Sequence, residues 1–311
     1  MRTISEEFKN FVKNNKDLKF LFNQIKTDST LDCEIRENKL QVYYRGAELF
    51  SMEERAKKFF FTKTENSVIK MQNEEICKET IKIMYDTLIS ERKNNLDLIR
   101  KNGPEGSERE AQQLIVRENN LNLNADKTDY YIVDIEDADS SLGLRFDMLA
   151  VRTLYDGKDR STPPKRFAII ELKYSDDTIF SGESTLKDHF SDLEKFLKDE
   201  TLCINLKKEI RYLFNLKLEL GLISKPNVKS DFIIKDDDLY EKPEYIIILA
   251  NCNMNKLAKL YDLLIEIKEL YKGVFEKFDV KFATAAFMGY GLFSNFMIPY
   301  DEFLERLAKT K

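Results

Sequence analysis

The sequence predicts an α/β fold, an α+β mixed sheet with helices on both faces. Three observations carry that expectation. Apolar runs of strand length, at Tyr130–Ile135, Arg145–Leu154, Arg166–Tyr174, Tyr245–Ala250 and Val280–Met288, alternate with stretches of helical periodicity. Tyr245–Ala250 (YIIILA) is continuously apolar, as suits a strand covered on both faces. From about residue 107 the element order reads α-β-β-β-α-α-β-α-β, an alternation that builds a mixed sheet.

The bulk properties agree with a folded, soluble chain. Its 311 residues are 42% hydrophobic and 34% charged, with 10 Gly and 6 Pro, which leaves room for one large domain or two ordinary ones. No apolar run reaches membrane-spanning length, and the first residues, MRTISEEFKNFVKNN, lack the apolar core of a signal peptide. Cys33, Cys77, Cys203 and Cys252 are scattered, which argues against a disulfide framework and for a cytoplasmic protein. A single histidine, His189, excludes two-histidine mechanisms and most zinc-hydrolase layouts. The net charge of −5 speaks against a wholly basic nucleic-acid binder, but a local basic cleft is compatible with it.

In chain order, residues 4–25 read as one amphipathic helix. Leu31–Arg36 and Leu40–Arg45 form a hairpin around a Glu-Asn turn and continue into a third strand. Its Val42-Tyr43-Tyr44-Arg45-Gly46 segment is aromatic and basic; strand-favouring tyrosines explain it more simply than nucleic-acid contact. A long charged helix is expected over 73–101, broken at Asn102-Gly103-Pro104. This break separates an N-terminal accessory region, 1–101, from a second region, 102–311. Ser107 and Glu110 have capping-box spacing, opening a helix over Glu108–Asn119 whose inner face carries Ala111, Leu114 and Ile115. After the strand at Tyr130–Ile135 comes an acidic loop, Glu136–Ser141, and then the two central strands. Helices follow at Leu186–Lys198 and Leu202–Leu222, the latter closed by Gly221. Residues 224–243 form a polar excursion. Asn255–Tyr271 is helical, and a short helix follows Pro299.

The chemistry gathers where polar residues stand in apolar runs. Asp147 interrupts Phe146–Val151, and Glu171 and Lys173 close FAIIELK. Strand periodicity puts Phe167, Ile169, Glu171 and Lys173 on one face and Ala168, Ile170 and Leu172 on the other. Glu108 and Glu118 fall on the inner face of the preceding helix. Three carboxylates and a lysine thus converge at one sheet edge. No Gly-rich phosphate loop, dinucleotide fingerprint or G-x-S-x-G elbow is present.

Over residues 107–251 this pattern resembles the PD-(D/E)xK nuclease superfamily, with its restriction endonuclease-like αβββαβ core. Asp147 matches the first acid, Glu171-Leu172-Lys173 the E-x-K tripeptide, and Glu108 the helix acid often found upstream. Phe146 stands where the namesake motif has proline. Glu91-Arg92-Lys93 and Glu266-Ile267-Lys268 repeat the tripeptide, but on helices. The resemblance implies a metal-dependent nuclease, cleaving DNA in preference to RNA, in defence, repair or mobile-element biology. Asp147, Glu171 and the Leu172 carbonyl would hold Mg²⁺ or Mn²⁺, Glu108 a second metal or the outer shell, and Lys173 would act on the attacking water. His189 and Asp192, on the helix after the core strands, are candidate substrate contacts. A homodimer suits double-strand cleavage. The alternative is an inactive nucleic-acid- or protein-binding module on the same fold.

Blander readings stand beside each residue. Asp147 could pair with Arg145 or Arg152, and Glu171 with Lys173 on an exposed edge. Glu110 or Glu118 could replace Glu108, and acids are in any case favoured in a helix's first turn. His189 could be a half-buried structural histidine. The acidic residues Asp134, Glu136, Asp137 and Asp139 read as a solvated loop before a metal site. Lys207, Lys208, Arg211 and Lys217, with Tyr212 and Phe214, read as a solvated helix face before a nucleic-acid track.

Overall fold

Two β-sheets organise the chain in the computed structural model, which describes residues 2–56, 58–64, 67–71, 86, 89–91, 93–97, 107–122, 125–139, 144–153, 164–175, 177–180, 185–223, 232–252, 257–285 and 291–309. The chain opens with helices α1 (Glu6–Asn14) and α2 (Lys16–Thr27). The single helix expected over residues 4–25 is therefore two, because Asn15 is extended, with ψ 121°. Ser5 caps α1, its Oγ accepting the Phe8 N–H at 2.9 Å.

An antiparallel sheet follows, with strands in chain order: β1 (Leu31–Arg36), β2 (Lys39–Tyr44), β3 (Ala47–Arg55), β4 (Lys58–Thr64) and β5 (Ser67–Met71). β4 and β5 extend it beyond the three strands the sequence predicts. The β2–β3 turn is the two-residue pair Arg45-Gly46, with φ +49° and +74°. Positive φ at both central positions matches the right-handed twist of a hairpin, and glycine adopts it without cost. Of the helix expected over 73–101, residues 86, 89–91 and 93–97 are described and helical, and the rest lie outside the described residues.

The second sheet is mixed. Helix α3 (Ser107–Asn120) leads into β6 (Tyr130–Asp139), β7 (Leu144–Arg152) and β8 (Arg166–Tyr174). Short α4 (Asp177–Phe180), then α5 (Leu186–Leu197) and α6 (Glu200–Leu220), precede β9 (Glu244–Ala250). Helices α7 (Leu257–Leu270) and α8 (Lys272–Lys277), β10 (Asp279–Ala285), β11 (Ile298–Pro299) and α9 (Tyr300–Ala308) complete the chain. The strand order is β11-β10-β9-β8-β7-β6. β6, β7 and β8 pair antiparallel, β8, β9 and β10 parallel, and β11 antiparallel to β10.

Alternation along the strands separates two apolar layers. Ile132, Met148, Ala150, Ala168, Ile170, Leu172, Ile246 and Ile248 face α3 through Ala111, Ile115 and Val116. Val133, Leu149, Val151, Phe167, Ile169, Tyr245 and Ile247 face the other way, into a core shared with α5, α6, α7, α9 and the N-terminal sheet. Helices thus cover both faces. Leu114, expected on the inner face of α3, is exposed; Gln112 and Gln113 are buried instead.

Buried ions join the two sheets. Lys217 donates to both carboxylate oxygens of Glu34 at 2.8 Å, with side-chain exposures of 1% and 0%. Arg36 bonds Asp134 at 2.6 Å and the Ile135 carbonyl at 3.0 Å. Arg2 bonds Asp134 as well, and its main-chain N–H and Nε reach Glu209 at 2.8 and 2.9 Å. Burial pushes the Glu34 carboxyl well up against the pull of Lys217. Burial also acts on Asp134, but Arg36 and Arg2 hold it below its ordinary value.

These contacts correct two expectations. Asp134 belongs not to a solvated acidic loop but to a strand, and it is enclosed by arginines. Strand β6 itself runs on to Asp139. The basic residues of α6 do not share one solvated face: Lys208 is exposed, but Lys217 is buried on Glu34, Arg211 pairs with Asp236, and the neighbouring Tyr212 hydroxyl meets the Ile4 main chain. The polar excursion is partly core as well. Phe232, Ile234 and Leu239 are buried, and the Asn215 amide bonds both the N–H and the carbonyl of Ile234 at 2.9 Å.

Removing one partner of a buried ion pair strands the other. Lys217→Met should therefore cost about 3–5 kcal/mol. The double variant Glu34→Leu/Lys217→Met should recover most of that loss. Urea denaturation of both variants checks this, and equal losses would contradict it.

Candidate active site

The site begins where a strand pairing stops. β7 and β8 are bonded from Arg152↔Arg166 to Met148↔Ile170, whereas β8 continues to Tyr174 still paired with β9. By strand parity the N–H and C=O groups of Leu172 and Tyr174 face the edge that β7 has left. Buried amides need acceptors. Here side chains supply them: Asp147 Oδ2 accepts the Leu172 N–H at 2.8 Å, and Glu108 Oε2 the Tyr174 N–H at 3.5 Å. Asp147 comes from within β7, one residue before the stretch that pairs with β8, and Glu108 from the first turn of α3.

On the α5 side of β8, Glu171 and Lys173 project together, as alternation requires. Their contact with His189 of α5 forms a nearly equilateral triangle: Lys173 Nζ to Glu171 Oε1 2.9 Å, His189 Nε2 to the same oxygen 2.8 Å, and Lys173 Nζ to His189 Nε2 2.8 Å. Helix α5 holds His189 in register because Leu186, Phe190 and Leu193 anchor it in the core, and Thr185 and Asp188 close a capping box. An ammonium has no lone pair, so Lys173 can only donate to an unprotonated Nε2.

The electrostatics follow from this crowding. Burial, then the neighbouring Glu171, pushes Asp147 up to about 8. Burial likewise pushes Glu171 up to about 7, against the pull of Lys173 and a hydrogen bond with Asp147. Burial and Lys173 push His189 down to about 4, leaving a neutral imidazole at neutral pH. Glu108 is raised by burial and by Asp147. Two carboxyls buried side by side hold on to protons even with Lys173 at hand.

Of the residues singled out in the sequence, Asp147, Glu171, Lys173, His189 and Glu108 meet at this edge. The Leu172 carbonyl faces it too. Asp192 lies on the outer side of α5, where it pairs with Lys195 at 2.8 Å. Glu110 bonds Arg45 at 2.7 Å, and Glu118 accepts from Asn122 at the far end of α3. Arg152 does not pair with Asp147. It bonds the buried Glu244 at 2.7 Å, at the opposite end of the sheet. The side chains of Arg145, Glu136, Asp137 and Asp139 lie outside the described residues. Cys252, unforeseen, follows β9 with its Sγ 3.9 Å from the Lys173 carbonyl oxygen; its place two residues past a parallel neighbour strand was the available signal.

The donor chemistry fits a hard divalent cation. Asp147 and Glu171 offer carboxylate oxygens, Leu172 a main-chain carbonyl, and Glu171 Oε1 is buried with no hydrogen bond of good geometry. Among the described residues, no group of three or more His, Cys, Asp or Glu side chains is arranged to hold a metal. A cation here would complete its shell with water or substrate oxygens, as Mg²⁺ does.

The raised carboxyls have a consequence for stability. Unfolded, they ionise near pH 4, but folded they hold protons up to about 7 and 8. Their contribution is full below pH 4 and is lost as pH rises through 7–8. The metal-free Asp147→Asn variant should therefore lose less Tm than the parent between pH 5.5 and 8.5. Calorimetric scans across that range test it, and parallel losses would refute it.

Compared with protein-family models, with curated proteins and with solved structures, the chain finds no match in any of the three.

Proposed function

We propose that this chain is a divalent-metal-dependent nuclease on a restriction endonuclease-like core formed by α3, β6, β7, β8, the helices after it, and β9. One observation carries the reading. At the edge of β8 that β7 leaves, two buried carboxylates meet a lysine on the neighbouring face and a third acid from a helix N-terminus. Metal-assisted phosphodiester hydrolysis uses that combination: anionic ligands for a cation, and a positive side chain to face the scissile phosphate.

Asp147, Glu171 and the Leu172 carbonyl would hold Mg²⁺ or Mn²⁺, with Glu108 in its outer shell or at a second ion. Bound there, such an ion would lower the pKa of a water and polarise the phosphate. Lys173 orients the attacking water and offsets the negative charge that grows on the phosphoryl oxygens. His189 accepts from Lys173 and holds its ammonium toward Glu171. The water oxygen bonds to phosphorus as the P–O ester bond breaks; the proton that the attacking water releases passes to solvent, and the leaving oxygen takes one from solvent in exchange. DNA is the first substrate to test, RNA the second.

A second reading has its own observation. Glu171, Lys173 and His189 already contact one another within a buried triangle, which also suits a non-cleaving binding module. Mn²⁺ titration calorimetry separates the two, since only the nuclease takes up metal in a way that Asp147→Asn and Glu171→Gln abolish.

Cleavage of single- and double-stranded DNA and of RNA should need Mg²⁺ or Mn²⁺. Asp147→Ala and Lys173→Ala should each lower the rate by about 10²-fold or more. A purified protein that cleaves none of these substrates with either metal would sink the catalytic reading.

A further inference from the structure

We propose that the β2–β3 turn of the N-terminal sheet is a positioning element for Glu108, so that this sheet is part of the site. The proposal rests on the nuclease reading for its consequence, but not for its geometry.

Glu108 sits in the first turn of α3, where the helix has fewest internal hydrogen bonds. A carboxylate placed there drifts unless something outside the helix fixes that turn. The Arg45-Gly46 turn does so in three ways. Gly46 lies against the main chain of the first turn: a Cβ at this glycine would stand 2.5 Å from Arg109 Cβ and 2.8 Å from both the Arg109 carbonyl carbon and the Glu110 nitrogen. Its φ of +74° adds a second reason for glycine. Arg45 grips the Glu110 carboxylate with Nε at 2.7 Å and Nη2 at 3.3 Å, while Nη1 holds Asp97 at 2.7 Å.

The third tie is Gln113, which is buried. Its Oε1 accepts the Gly46 N–H at 2.7 Å, and its Nε2 donates to the Thr30 and Tyr43 carbonyls, both at 3.1 Å. One side chain of α3 thereby satisfies three main-chain groups of the N-terminal sheet. The turn touches Arg109 and Glu110, the next residues after Glu108, and Glu108 in turn reaches the Tyr174 N–H. A displacement of the turn is passed through the helix start to that contact. Glu110, which has the better capping spacing, is occupied by Arg45; this leaves Glu108 as the acid of the turn that faces β8.

Gly46→Ala is the direct test, with Arg45→Gln, at a half-exposed position, as the variant that tolerates folding. Two readouts apply to the full-length, metal-free protein: Mn²⁺ affinity by calorimetry, and hydrogen exchange of the Tyr174 amide by NMR. Gly46→Ala is expected to weaken Mn²⁺ binding about 10-fold, the lower range for outer-shell changes, and to speed exchange at Tyr174. Arg45→Gln should do the same to a smaller extent, and Glu108→Ala to a similar one. In the Gly46→Ala/Glu108→Ala double variant the two effects should not add. A merely structural turn would give additive losses, or folded Gly46→Ala and Arg45→Gln proteins with unchanged Mn²⁺ affinity and exchange; either result overturns the proposal. If the parent protein takes up no Mn²⁺, the nuclease reading falls, and Tyr174 exchange alone decides the positioning role.

Discussion

An unpaired strand edge in a protein interior must be answered, and the chemistry of this molecule grows from that constraint. β8 outlasts its pairing with β7, which leaves the main-chain groups of Leu172 and Tyr174 facing a gap. A neutral acceptor would satisfy such amides. The chain uses Asp147 and Glu108 instead, and so brings acids into a buried place that already holds Glu171. Burial, and then the crowding of the acids, raises the affinity of these carboxyls for a proton. The strand geometry and the candidate chemistry thus share one origin. Lys173 is present for the same reason: the alternation that points Leu172 away brings residues 171 and 173 to one face.

The two sheets act as one frame. Their shared core and the Glu34–Lys217 and Arg2–Asp134–Arg36 ions fix the N-terminal sheet against β6 and α6. A buried ion network tolerates little relative movement, because any shift leaves a charge without its partner in a low dielectric. The frame then delivers the β2–β3 turn to the start of α3 with a glycine-sized clearance.

Much of this was legible in the sequence, for identifiable reasons. Period-2 alternation placed Glu171 and Lys173 on one face, and an acid inside Phe146–Val151 marked Asp147. The continuous apolar run at Tyr245–Ala250 announced a central strand, which the structure buries throughout. What was hidden depends on distant pairing. Lys217 and Asp134 look solvated until β1 supplies Glu34 and Arg36, and no local pattern reports a partner 183 residues away. Glu108 and Glu110 are equivalent by composition, and only the approach of Arg45 separates them. The break at Asn15 was signalled only by the Asn14-Asn15 pair, poor helix formers that favour caps, while the apolar spacing continues across it.

The buried ions also set an order of events during synthesis. Glu34 and Arg2 precede the side chains that neutralise them: Lys217 follows Glu34 by 183 residues, and Asp134 and Glu209 follow Arg2 by 132 and 207. At roughly 5–20 residues per second, the N-terminal sheet waits on the order of ten seconds or more before its inner face can close. Until then the Glu34 carboxylate lacks the ammonium that receives it, and taking it out of water alone is costly.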